Sequence, residues 1–145
     1  MTEPLRLPAA RSAPEGLAAT TDWFESLSYG LVLLEPYPLE DLQAAVQAFR
    51  GRMIAHTAAW GAERWVPRGG DPFAARLYRV VVSDHAWFET SFDQLRWFLG
   101  IVENEDHGGH RQALGQYGRL VSEAVRRHLG DEQSLAARAL PSAKG

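Results

Sequence analysis

Eight residues do most to decide what this chain can fold into. Tyr78, Val81, His85, Phe88, Phe92, Leu95, Leu99 and Val102 follow one another at alternating steps of three and four. At about 3.6 residues per turn, such steps draw one continuous stripe along a helix. On a strand the same residues would scatter over both faces and bury neither. The spacing therefore predicts one long helix over 72–103. Asp71 followed by Pro72 suits an N-cap and the first helical position. Val80, Val81 and Val82 would also suit a strand, with Ser83 or Asp84 capping a shorter helix, but the stripe runs through them in register.

A helix with one apolar face needs partners, and three other segments offer them. Phe24, Leu27, Leu31 and Leu34 form one stripe; Leu42, Val46, Phe49, Met53, His56 and Trp60 form a second; His110, Leu114, Tyr117, Val121, Ala124 and His128 form a third. The expected fold is all-α, an up-and-down bundle of about four antiparallel helices in a single domain over 20–130. Residues 1–19, with Pro4, Pro8 and Pro14, read as a disordered tail. Thr20, Thr21 and Asp22 are the N-cap candidates of the first helix. A strand over 29–34 is its rival, since Gly30 weakens a helix there. Pro38 opens the second helix, and residues 62–71 form the longest loop. The last helix is expected over 110–129, ended by Gly130 as a C-cap, with 131–145 a frayed tail holding at most a short turn near 134–140.

Composition narrows the function classes. At 145 residues the chain can bury one sizeable core, and its net charge of −3 argues against a general polyanion binder. Arg111, Arg119, Arg126 and Arg127 read as a solvated face and not as a nucleic-acid platform. The absence of cysteine removes disulfides, thiolate nucleophiles and cysteine-type zinc sites, and fits a cytoplasmic location. Met1–Gly16 has no apolar core of a secretory signal, and the longest purely apolar run, Leu31–Leu34, is far too short for a membrane span.

Chemistry is hinted at only by histidines standing where apolar residues belong. His85 and Glu89 lie four apart, neighbours on a helix. His107 and His110 lie three apart at the start of the next helix, and His56 lies on the seam of the preceding one. Facing helices can bring such groups onto one ion. The order of a lone His56, then His85 with Glu89, then a His107–His110 pair resembles hemerythrin-type and other bundle metalloproteins. It departs from them in pairing His-x-x-His and in lacking an acid five residues after His128. The ligand set this predicts is His85, Glu89, His107 and His110, holding iron, zinc or manganese. His128 lies eighteen residues after His110, about 27 Å of helix, so the two cannot share an ion. His128 reads instead as a residue favoured by the negative end of its helix. His56, near the end of one helix, and His85, in the middle of the next, are expected at different heights. Glu103, Glu105 and Asp106 read as first-turn charges of the last helix, or as servants of a cation.

A second stripe on the long helix, Trp87, Ser91, Gln94 and Phe98, predicts an interface and hence a homodimer, unless the loop at 62–71 with Trp65 covers it. The favoured functional reading is a bundle acting through its surface as that dimer, with no identifiable catalytic motif. Its rival is a metal-binding bundle of oxidoreductase-like or hydrolase-like type.

Overall fold

The computed structural model describes residues 14–62 and 70–139. The helices are α1 (Leu17–Val32), α2 (Leu39–Ala62), α3 (Pro72–Asn104) and α4 (Gly108–Ala139). Each packs against its chain neighbours, and α4 closes the ring onto α1. The all-α bundle expected from the four stripes is the fold observed, and the stretches at 29–32 and 76–82 are helical. The N-terminal tail up to residue 13 and the Trp65 loop lie outside the described residues. No described helix is long and apolar enough to cross a membrane.

The helix ends follow local chemistry. Asp71 caps α3 by accepting from the Phe73 and Ala74 amides, both at 3.1 Å, and Pro72 follows it at N1. At the other end of the chain, α1 starts earlier than the threonines suggest. Its cap is Gly16, at φ 85°, without a side-chain hydrogen bond. Thr20 and Thr21 instead turn their hydroxyls back to the Gly16 and Leu17 carbonyls, at 2.7 and 2.6 Å. The larger difference is in α4. It does not stop at Gly130 but runs through it to Ala139. Leu135, one of the most buried side chains, rewards that continuation.

The core lies in two parts. The larger joins all four helices through Phe24, Phe49 and Phe92, with ring centroids 4.7 and 4.9 Å apart in sequence, and through Leu95, Leu114, Val121 and Val125. The smaller holds Ala74, Val81 and Leu135, with Trp60, Leu77 and Tyr78 against it. Along α2, α3 and α4 alike, one histidine separates the two parts: His56 after Met53, His85 between Val81 and Phe88, His128 between Val125 and Leu135.

Candidate metal centre

That layer of histidines is the candidate site. Helices α2 and α4 stand diagonally, with no Cα atoms within 8 Å of each other. Side chains nevertheless bridge them, because Glu132 on α4 reaches His56 on α2. The His56 Nε2 lies 3.0 Å from Glu132 Oε1 and 2.8 Å from Oε2. From α3, His85 Nε2 lies 3.3 Å from the same Oε1 and 3.1 Å from His128 Nε2. His128 Nε2 also meets Glu132 Oε1 directly. Three imidazoles from three helices thus surround one carboxylate, and His56, His128 and Glu132 lie close enough together to share an ion.

Proton positions make this convergence informative. His128 Nδ1 lies 3.0 Å from Asp84 Oδ2, a carboxylate that can only accept. A proton of His128 is therefore on Nδ1, and its Nε2 faces Glu132 Oε1, a contact that needs a second proton or a cation between the two. Two lone pairs cannot face each other in a buried site unless a cation or a further proton lies between them. His128 is fully buried, which disfavours its charged form, yet Glu132 and then Asp84 outweigh burial and raise its pKa above the ordinary value. Burial likewise opposes ionisation of Glu132, but the hydrogen bonds from His128, His56 and His85 hold its carboxyl well below the usual range. The pocket is built to keep Glu132 anionic and to accept positive charge.

The spacing suits a metal. Ligand atoms about 2.0–2.1 Å from a tetrahedral ion lie roughly 3.3 Å from one another. Three separations, of 3.0, 3.1 and 3.3 Å, are of that size, whereas His128 Nε2 and Glu132 Oε1 lie closer and would have to part to admit an ion. Imidazole with carboxylate is the donor set of zinc, iron and manganese. Asp84 stands where an outer partner would fix the tautomer of His128 if it held an ion. No protein-family model matches this chain, and no curated protein or solved structure matches it either.

Of the four ligands expected from the sequence, the structure brings only His85 to this centre. Glu89 is exposed on the α2–α3 side, in a cleft with Arg50 and Thr57. His107 and His110 stand beyond the end of α3, nineteen residues after His85, which is about 28 Å of helix. They form a second group with Glu105 at the α3–α4 turn. There His107 Nδ1 accepts from the Gly109 amide at 3.0 Å and so serves as the cap of α4. His110 Nδ1 donates to the Glu105 carbonyl at 2.8 Å, and the two rings stack at 3.7 Å. With its Nδ1 lone pair on the cap, neutral His107 carries its proton on Nε2 and has no free lone pair for an ion. Asp106 beside them is taken by Arg111, at 2.6 and 2.8 Å, so the acidic turn serves an arginine.

The predicted ligand set holds neither His56 nor His128, and the sequence gives Glu132 no role and Asp84 only that of a possible helix cap. His56 and His85, expected at different heights, share Glu132. The signal was present: His128 and Glu132 are four apart, the same spacing as His85 and Glu89. Reading Gly130 as a helix end hid it.

Proposed function

We propose that this protein is a metal-binding helical bundle in which His56, His128 and Glu132 hold one divalent ion of zinc, iron or manganese, with His85 beside them. The observation that carries the reading is the convergence of His56 Nε2 and His128 Nε2 on the Glu132 carboxylate, with the other nitrogen of His128 held by Asp84. A bound ion there would act as a Lewis acid on a coordinated water or substrate atom. That favours hydrolase-like over purely structural chemistry, because three protein ligands leave a tetrahedral ion one open position, and a cavity borders His56 and Glu132. Elemental analysis of the purified protein tests the reading. Near one ion per chain is expected, lost in His128→Ala and Glu132→Ala and kept in His107→Ala. Unchanged metal in the first two variants, or loss in the third alone, overturns it.

A second reading, action through the surface as a homodimer, draws support from exposed Val80, Trp87 and Leu120 around one shallow groove between α3 and α4. Arg127 flanks that groove on the same side as Glu123 and Asp131, so a two-fold-related copy can pair opposite charges. The supporting stripe is narrower than the sequence suggests. Ser91 is buried, and Phe98 packs on Tyr117 with ring centroids 5.1 Å apart. Sedimentation at micromolar concentration decides: a dimer is expected, weakened by Trp87→Glu, and a strict monomer removes the reading.

A further inference from the structure

A cavity of about 650 Å³ opens between α1, α2 and α4, and His56 and Glu132 form part of its wall. Ligand pockets commonly have about 300–1,000 Å³. Small residues make the room: Ala18, Ala59 and Ala136 line it where larger side chains would fill it. Leu129 and the ring of Trp60 supply apolar surface. Trp60 is itself braced edge-on against His85, with ring centroids 4.9 Å apart.

Apart from Gln133 on the exposed rim, the polar side chains of this chamber are already engaged. The Thr21 hydroxyl donates to the Leu17 carbonyl at 2.6 Å. The Arg126 guanidinium is shared between Asp22 and Glu25, both at 2.8 Å, and so offers an incoming anion no uncompensated charge. His56 and Glu132 belong to the metal set. What remains for a ligand is an apolar wall, an indole face and, at the inner end, the ion.

We infer that this chamber binds a neutral small molecule with a flat apolar body and one Lewis-basic nitrogen, oxygen or sulfur atom that reaches the ion. The inference rests on the metal reading above and adds the ligand's class and route. A smaller cleft of about 350 Å³ on the other side of α2 reaches His85 but not His56 or Glu132, and it carries the charges of Arg50 and Glu89. Neighbouring residues divide the two: Ala59 lines the chamber and Ala58 lines the cleft.

Cobalt(II)-loaded full-length protein tests this through its visible absorption bands, titrated with imidazole, 4-phenylimidazole and benzoate. The phenyl ring should tighten binding at least about tenfold over imidazole, because it is buried in the chamber. Benzoate, charged and unmatched, should bind more weakly than 4-phenylimidazole. Ala59→Trp should abolish the phenyl preference while leaving the bands of the ligand-free protein in place, and Ala58→Trp should keep it. Ala136→Phe, on the facing wall, should act like Ala59→Trp. Bands without any phenyl preference, or a preference lost in Ala58→Trp and kept in Ala59→Trp, overturn the chamber alone. A protein that takes up no cobalt overturns the metal centre and the chamber together.

Discussion

Asp84 acts on the centre through one imidazole. Its carboxylate holds the Nδ1 proton of His128, which leaves Nε2 free to ligate and makes that nitrogen more basic. Asparagine at position 84 keeps the shape and can still accept through its carbonyl oxygen, but it lacks the charge. Asp84→Asn should therefore weaken metal binding about 10–100-fold, read by competition with a chromophoric chelator, while the melting curve of the metal-free protein moves little. Unchanged affinity would mean that packing of Phe88 against His128, at 5.2 Å between centroids, orients the ring unaided. The residue scale is also where the sequence was only half legible. His85 stood out because an imidazole interrupted an otherwise apolar stripe. Glu132 did not, since a carboxylate after a glycine in a polar stretch looks like any solvated residue. Only the third dimension sets it against His56.

At the scale of the element, α4 shows how one residue type carries different meanings. A Cβ on Gly115 would lie 2.6 Å from the Ser28 carbonyl oxygen and 2.8 Å from Leu31 Cβ, so this glycine lets α4 lie close on α1. Gly130, by contrast, has open space where a Cβ would go. It neither ends the helix nor receives a neighbour. Alanine propagates a helix better than glycine by roughly 1 kcal/mol. Gly130→Ala should therefore stabilise the protein by up to about 1 kcal/mol in urea unfolding and leave metal content unchanged. Gly115→Ala should destabilise it by about 1–3 kcal/mol, since backbone would have to shift. Equal effects of the two would remove the close α1–α4 approach as an explanation. The existence and face of each helix were readable from spacing, because burial and helical period are written in the same residues. The end of α4 was not, because a glycine in a cap and a glycine in mid-helix are the same letter. What distinguishes them here is Leu135, which buries only if the helix goes on.

Across the whole molecule, the histidine layer ties down what apolar packing leaves loose. The first half of α2 is anchored by Leu42, Val46, Phe49 and Met53, all buried. Beyond Met53 the anchoring thins: Ile54, Ala58 and Ala59 are exposed, and Trp60 is only partly covered. The last two turns of α2 are held chiefly by His56 on Glu132 and by Trp60 on Tyr78 and His85. An ion at the centre would fasten that end to α4. Free ion at a hundred times its dissociation constant should raise the unfolding free energy by about 2.7 kcal/mol and the melting temperature accordingly. The gain should be uneven in space. On chelation, amide exchange should speed up most from His56 to the end of α2. It should change least in α1, which contributes no ligand and is locked to α4 through Gly115 and Gly118. Hydrogen exchange with and without chelator distinguishes this from a uniform loss. If α1 and the end of α2 lost protection equally, the ion would be a general contributor to stability. The bundle would not then depend on this layer to hold its diagonal helices together.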